Sequence, residues 1–181
     1  MALKVKKPIV LVGMMGAGKS AVGRTLAQAL GVPFLDSDHA IERAAAMSIA
    51  EVFARDGEAF FRARESEVLA RLMASGPGVI STGGGAFLAE ENRRLIHDDG
   101  VSVWLRADLD LLWERVRHKP TRPLLQTPDP HGTLKALYKA RVRLYALADL
   151  VVDAHPAYSL GDMTKQVIRV LKTRPDVLEE V

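Results

Sequence analysis

The chain has 181 residues, a length that suits one domain with a substantial core. Hydrophobic residues make up 48% and charged residues 26%, as in ordinary globular proteins, and no apolar run approaches the ~20 residues that span a bilayer. The absence of cysteine excludes disulfides and thiolate metal sites, and no signal-peptide cleavage pattern follows the basic start, so we expect a cytoplasmic protein. The net charge is +3, but no nucleic-acid-binding signature accompanies it; arginines facing a small anionic ligand explain it better than DNA, RNA or a membrane.

The first chemical signal is the segment Gly13–Ser20, which matches the phosphate-loop pattern G-x-x-x-x-G-K-[ST]. It follows the apolar run Ile9–Val12 and opens into a helical pattern, the context that this loop needs. Backbone amides of such a loop surround phosphate oxygens, while Lys19 reaches the β- and γ-phosphates and Ser20 ligates Mg²⁺. The candidate ATP-binding residues here are Gly16, Ala17, Gly18, Lys19, Ser20 and Ala21.

Strand and helix patterns alternate along the remaining chain. Further strands are predicted at 33–35, 79–81, 101–105 and 150–152, and the strand at 150–152 is expected to be the last one. Helices are predicted at 48–53, 58–73, 89–99, 133–148 and 158–172. The proline-rich stretch 119–131 is predicted to be a loop, and the tail 173–181 is expected to fray. This alternation predicts an α/β fold with a parallel sheet and helices on both faces, whose ligands bind beyond the carboxyl ends of the strands.

Asp36 and Asp38 follow the second predicted strand of that sheet. Beside a phosphate loop, the first carboxylate is suited to supporting a Mg²⁺ ion and the second to orienting or deprotonating an acceptor hydroxyl. The alternative is a helix N-cap, a position that Asp and Ser both favour.

Three consecutive glycines, Gly83–Gly85, follow the third predicted strand. Such a run permits close approach of the backbone to a ligand, and the alternative is a loop that needs positive φ. Arginines that suit an anionic substrate are also present, although spacing alone does not select among them: Arg62, Arg64, Arg141 and Arg143. Arg122 in the proline-rich loop is placed to carry a cation over a transferring phosphate.

Six segments together resemble the shikimate kinase family, in the family's order and over nearly the whole chain. They are Gly13–Ser20, Asp36–Asp38, Phe61–Glu65, Ser81–Gly85, Arg122–Leu125 and Arg141–Tyr145. Many enzymes share the phosphate loop, but the combination of D-S-D, F-R-x-x-E, G-G-G and R-P-L-L is much more specific.

The resemblance implies a three-layer α/β/α P-loop kinase fold in one domain, 1–181, with a five-stranded parallel sheet in the order 2-3-1-4-5 and a mobile lid at about 118–131. It implies transfer of the γ-phosphoryl group of ATP to the 3-hydroxyl of shikimate, a step of aromatic amino acid biosynthesis. Mg²⁺ is the implied cofactor, and the implied state is a monomer.

The resemblance also implies roles for residues on the acceptor side. Asp38 holds the shikimate hydroxyls and is the candidate base, while Arg62 and Arg141 hold the carboxylate. Gly84 offers its backbone N–H within the segment Gly83, Gly84 and Gly85, and Glu65 supports Arg62.

On the nucleotide side, the resemblance places Mg²⁺ on Ser20 with Asp36 behind it. Lys19 and Arg122, the latter from the lid, act on the phosphates and join Asp38 as catalytic candidates, and Arg115 packs near adenine. Two departures from the family pattern concern this side: Ala21 replaces a second hydroxyl residue common after the loop, and no arginine follows the last parallel strand, which leaves Pro156 to pack on the base.

Other function classes fit less well. A GTP-dependent switch needs an N-K-x-D motif, which the chain lacks. A gluconate or nucleotide kinase shares the phosphate loop but not the arginine set, and a catalytically dead interaction protein does not need the complete set of catalytic residues.

Overall fold

Short apolar runs form the parallel sheet, with the first of them at its centre. The computed structural model describes residues 2–118 and 126–181, in which the strands are β1 (Leu3–Val5), β2 (Ile9–Val12), β3 (Phe34–Asp36), β4 (Val79–Ser81), β5 (Val101–Arg106), β6 (Leu150–Asp153) and β7 (Leu178–Glu180). The parallel sheet has the order β3-β4-β2-β5-β6, which is 2-3-1-4-5 among its own strands in chain order. The expected sheet is therefore confirmed.

Seven α-helices and a short 3-10 helix, Ala86–Leu88, connect and cover these strands in the described part of the chain. The α-helices are α1 (Lys19–Leu30), α2 (Ser37–Ala45), α3 (Ile49–Ala74), α4 (Glu90–Asp99), α5 (Leu109–Val116), α6 (Pro130–Tyr145) and α7 (Leu160–Leu171). Helix α1 packs on β3, β4 and α7, while α3 packs on α2 and α4, and α5 packs on α6. Within residues 2–118 and 126–181, no helix has the length and apolar character needed to cross a membrane.

Local sequence signals explain where several helices begin and end. Ser48 and Glu51 form a capping box at the start of α3, Asp108 caps α5 by accepting from the Leu111 amide, and Gly31 ends α1 in the left-handed conformation. The two helices expected at 48–53 and 58–73 are one element, α3, with a kink at Gly57, whose φ is 83° and ψ is 173°.

One helix was not predicted, and another begins earlier than predicted. The segment after Asp36 forms α2, and Asp36 is its N-cap, so the capping alternative holds for this carboxylate. Helix α6 begins at Pro130 rather than near residue 133, because proline is well tolerated in the first turn of a helix, where no backbone N–H partner is needed. Residues 119–125 of the expected lid, which include Arg122, lie outside the described residues.

The tail was expected to fray, and that expectation is wrong. β7 pairs antiparallel with β1, with Val5 opposite Leu178, and Val177 and Leu178 are buried. Each strand has only three residues, so neither is recognisable from its own sequence. Their order comes from pairing with each other, which local sequence patterns do not show. The pair ties the two ends of the chain together, and Val5, Val177 and Leu178 belong to the hydrophobic core.

We expect Leu178→Ala to lower the free energy of unfolding by about 2–3 kcal/mol, because it leaves a cavity at a buried position. Leu178 is 2% exposed and Val181, three residues later, is 63% exposed, so Val181→Ala is the matched control. Urea unfolding measures both variants, and equal small losses for the two would contradict packing of the tail.

Candidate active site

The register of the sheet gathers polar residues at its carboxyl edge. Asp36 on β3 lies opposite Ser81 on β4, and Ser81 lies opposite Leu11 on β2, two residues before the phosphate loop. Parallel strands end at the same edge, so the two aspartates, the loop and the glycine run converge there. They line an open cleft of about 640 Å³.

The phosphate loop has the conformation that its glycines allow. Gly16 has a φ of 84°, and a Cβ at this position would lie 2.7 Å from Val116 Cγ1. The loop leads directly into α1, so its amides and the helix N-terminus face the same cleft. Lys19 is buried, and its Nζ donates to the carbonyl oxygens of Gly13 at 2.7 Å and Met14 at 2.9 Å.

Oxygen atoms suited to magnesium lie beside this loop. Ser20 Oγ donates to Asp36 Oδ2 at 3.1 Å and lies 3.4 Å from Ser81 Oγ, while Asp36 Oδ1 accepts from the His39 amide. Among the described residues, no group of three or more His, Cys, Asp or Glu is able to enclose a metal ion. A Mg²⁺ ion that takes most of its ligands from phosphates and water fits this sparse hydroxyl–carboxylate set.

The three glycines form a floor that we call the glycine floor, Gly83–Gly85, and each approaches a different charged side chain. A Cβ on Gly83 would lie 2.8 Å from Asp38 Oδ1, one on Gly84 would lie 3.0 Å from Arg141 Nη1, and one on Gly85 would overlap the Arg62 guanidinium. None of the three has positive φ. Close approach of side chains, rather than an unusual backbone conformation, therefore explains the run of glycines.

The floor is held in place from the following helix. The Ala86 amide donates to the Gly83 carbonyl at 3.2 Å, Asn92 Nδ2 donates to the Ala86 carbonyl at 2.9 Å, and Arg93 Nη1 donates to the carbonyls of Phe87 and Leu88. These bonds fix the backbone at the end of the floor and explain the burial of Asn92.

Arg62 and Glu65 form a partly buried pair on α3. Arg62 Nη1 donates to Glu65 Oε1 at 3.0 Å and Oε2 at 3.2 Å, and the Glu65 side chain is 2% exposed. Burial raises the pKa of the Glu65 carboxyl above its ordinary value, and the charge of Arg62 opposes that rise. Glu65 therefore fixes the direction in which Arg62 reaches the floor.

Arg141 is a buried cation on α6. It is 6% exposed, and no carboxylate oxygen in the described part of the chain lies within 4 Å of its guanidinium. The Tyr145 hydroxyl follows one helical turn later, and both groups lie close to Gly84. A buried charge without a counter-ion is costly, so this position favours an anionic ligand.

Asp38 faces this group of charges. Burial raises the pKa of the Asp38 carboxyl most, the charge of Asp36 raises it further, and Lys19 and Arg62 oppose the rise. A carboxylate with a raised pKa, aimed at an open cleft, is chemically suited to accept a proton or a hydroxyl hydrogen bond.

The nucleotide side of the cleft contains residues that the sequence pattern did and did not indicate. Arg115 Nη1 donates to the Gly16 carbonyl at 3.0 Å and lines the cleft with Ala21. Tyr158 lines the same end, and its ring lies 5.2 Å from that of His155, whereas Pro156 is not among the lining residues. Position Ala21 has no hydroxyl, as the sequence already indicated.

The structure thus brings together the site residues implied by the family resemblance, as far as it describes them. Of the four candidate arginines, Arg62 and Arg141 approach the glycine floor, whereas Arg64 pairs with Glu67 and Arg143 is exposed. Ser81 and Tyr145 join the site without having been singled out. Both fall inside segments that carry the family resemblance, but their importance depends on strand register and on the helical turn after Arg141.

Comparison with known proteins agrees with this geometry. The family model for shikimate kinase matches residues 15–172. A shikimate kinase from Ruegeria pomeroyi is 65% identical over 178 residues, covering 98% of this chain and 91% of that protein.

The chain belongs to the shikimate kinase family. The activity of this family is ATP-dependent phosphorylation of shikimate at its 3-hydroxyl, in aromatic amino acid biosynthesis, and it is the activity of this chain.

The structure is more similar to solved shikimate kinases than to a solved gluconokinase. A shikimate kinase from Acinetobacter baumannii, solved in complex with shikimate, superposes with a TM-score of 0.86 at 38% identity, covering 91% of this chain and 92% of that one. A gluconokinase from Sinorhizobium meliloti reaches a TM-score of 0.59 at 19% identity, covering 92% of this chain and 91% of that one, which shows a shared fold alone.

We expect Asp38→Asn to raise Tm at pH 7–8 and to lower turnover on the order of 10²-fold. Because the pKa of Asp38 is higher in the folded than in the unfolded protein, protonation of this carboxyl favours the folded state. The stabilisation is complete below pH 3.8, the pKa of the unfolded chain, and is lost as the pH rises through the higher pKa of the folded protein. The Tm gain of the variant is therefore largest at neutral pH and closes towards pH ~4.

Asp176→Asn provides a control of opposite sign. Arg174 and Lys7 hold the pKa of Asp176 well below its usual range, so its ionised form stabilises the folded protein at neutral pH and the variant loses Tm. Calorimetry across pH measures both variants, and a Tm loss for Asp38→Asn at pH 7 would contradict the account of Asp38.

Proposed function

We propose that this shikimate kinase binds the carboxylate of shikimate between Arg62 and Arg141 and presents a hydroxyl to Asp38. The observation that carries the proposal is the burial of Arg141 without a carboxylate partner, beside a second guanidinium that Glu65 orients. Arginine forms bidentate, charge-assisted hydrogen bonds with carboxylates, so one anionic group on the ligand satisfies both cations.

The glycine floor supports the same pose. In the described part of the chain, no hydrogen bond uses the backbone amide of Gly84 or Gly85, and both lie between the two arginines. These amides are available to a substrate oxygen, and a side chain on the floor would displace the charged groups that surround it.

Asp38 is proposed to align the reacting hydroxyl and to accept its proton. Its raised pKa reflects burial and the nearby charge of Asp36. Transfer of the phosphoryl group requires little covalent help, so the contribution of Asp38 is positioning together with removal of one proton from the acceptor oxygen.

The nucleotide is proposed to bind along the phosphate loop, with the amides of Gly16–Ser20 around its phosphates. Lys19 exchanges its present carbonyl partners for phosphate oxygens, and Arg115 borders the base end of the cleft. Ser20, with Asp36 behind it, would hold Mg²⁺, which when bound neutralises charge on the phosphates.

Arg122 and the surrounding lid complete the proposal from outside the described residues. A cation from the lid would add positive charge at the transferring phosphate, and lid closure would exclude water as a competing acceptor. The use of ATP supports a cytoplasmic location. We also predict that the protein is a monomer and that it has no nucleic-acid or membrane partner.

We expect Arg62→Ala to raise the KM for shikimate by about 10–100-fold and to leave the KM for ATP within about twofold, because one charged hydrogen-bonding partner is lost. Arg62→Lys keeps a positive charge beside the buried Glu65 but lacks the planar guanidinium that binds a carboxylate through two hydrogen bonds. It therefore distinguishes the loss of bidentate binding from the effect of leaving Glu65 without a cation. Steady-state kinetics with each substrate varied measures both.

Arg64→Ala is the matched control on the same helix, since Arg64 is exposed and pairs with Glu67. Gluconate and nucleoside monophosphates serve as alternative acceptors in the same ADP-release assay. Equal KM increases for shikimate and ATP in Arg62→Ala, or equal effects of Arg62→Ala and Arg64→Ala, would contradict a carboxylate clamp.

A further inference from the structure

The side chain of Tyr145 joins two parts of the acceptor side that are far apart in sequence. Tyr145 is the last residue of α6 and is 1% exposed, and its hydroxyl donates a hydrogen bond to the Gly84 carbonyl. Its ring packs against Trp104 on β5, with the ring centroids 6.1 Å apart. The hydroxyl is thus held in place by packing on one side and reaches the glycine floor on the other.

The same hydroxyl lies close to Arg141. A Cβ on Gly84 would lie 3.0 Å from Arg141 Nη1 and 3.6 Å from the Tyr145 hydroxyl, so both groups meet at the same glycine. The phenol gives its one proton to the Gly84 carbonyl. Burial raises the pKa of the Tyr145 phenol, and the charge of Arg141 opposes that rise.

This arrangement restrains the middle of the glycine floor and the Arg141 side chain. The three consecutive glycines have no side chains to anchor them and lose much conformational entropy when they are ordered, and the bonds around Ala86 hold only the end of the run. Arg141 has a long side chain and no carboxylate partner within 4 Å in the described residues. One rigid ring, fixed against the sheet, orients both.

We infer that Tyr145 is a positioning residue for the acceptor pocket, which sets the direction of the Arg141 guanidinium and of the Gly84–Gly85 peptide. The inference rests on the proposed roles of Arg141 and the glycine floor. Tyr145 itself needs no contact with shikimate, because its effect passes through these two groups.

The test compares Tyr145→Phe with Tyr138→Phe, a tyrosine two turns earlier on the same helix that has no bond to the floor. We expect Tyr145→Phe to raise the Kd and KM for shikimate about 10-fold, with the KM for ATP and kcat within about threefold of wild type. Tyr138→Phe leaves all of these constants within about twofold. Calorimetric titration gives the Kd, and circular dichroism confirms that each variant is folded at the assay temperature.

Amide NMR of the glycine floor provides a second measurement that needs no turnover. In Tyr145→Phe, the Gly84 and Gly85 amides are expected to show lower backbone order parameters than in wild type, while amides elsewhere on the sheet are unchanged. Unchanged order parameters together with an unchanged Kd for shikimate would overturn the inference.

The outcomes also separate this inference from the proposed function. If Arg62→Ala weakens shikimate binding and Tyr145→Phe does not, the carboxylate clamp stands and the positioning role fails. If neither variant affects shikimate, the proposed acceptor pocket itself is wrong. Equal losses for ATP and shikimate in Tyr145→Phe indicate a general structural role and overturn the inference.

Discussion

The close packing of charged side chains onto the glycine floor is the constraint on which the acceptor side depends. Asp38, Arg62 and Arg141 come from three different helices, and each meets a glycine at a distance that leaves little or no room for a Cβ. The sheet supplies the floor at the carboxyl end of β4, next to the phosphate loop that follows β2. The acceptor and donor sides of the reaction are neighbours because these two strands are neighbours.

Charge balance explains why these residues remain oriented without a ligand. Glu65 is buried and pairs with Arg62, Asp36 is bound by Ser20 and by the start of α2, and Lys19 is held by carbonyls of its own loop. Asp38 and Arg141 are different: the first has a raised pKa, and the second has no carboxylate neighbour within the described residues. Both are among the groups that we propose to contact the substrate, as expected where binding energy comes from completing a charge arrangement.

Much of this arrangement was predictable from short-range patterns. The loop Gly13–Ser20, the aspartates 36 and 38 and the glycines 83–85 each follow an apolar strand, and the rule for parallel sheets places all of them at one edge. The approach of Arg62 and Arg141 to the floor was not predictable from spacing, and it entered through the family resemblance.

Other features depended on contacts between distant residues. The β1–β7 pair joins two short strands from opposite ends of the chain, and local pattern gave no sign that either would be ordered. The positions of Ser81 and Tyr145 depend on strand register and on the close approach of α6 to the floor. The sequence left open whether Asp36 caps a helix or supports Mg²⁺, and in the structure it both caps α2 and accepts from Ser20.

The central claim, that two arginines recognise the acceptor through its carboxylate, is tested most directly by changing the substrate rather than the protein. The measurement is kcat/KM for shikimate and for its uncharged methyl ester, with ATP and Mg²⁺ saturating. Loss of one charge that two guanidinium groups bind predicts a decrease on the order of 10²-fold or more for the ester, carried mainly by KM. Equal kcat/KM values for the acid and the ester would contradict the account.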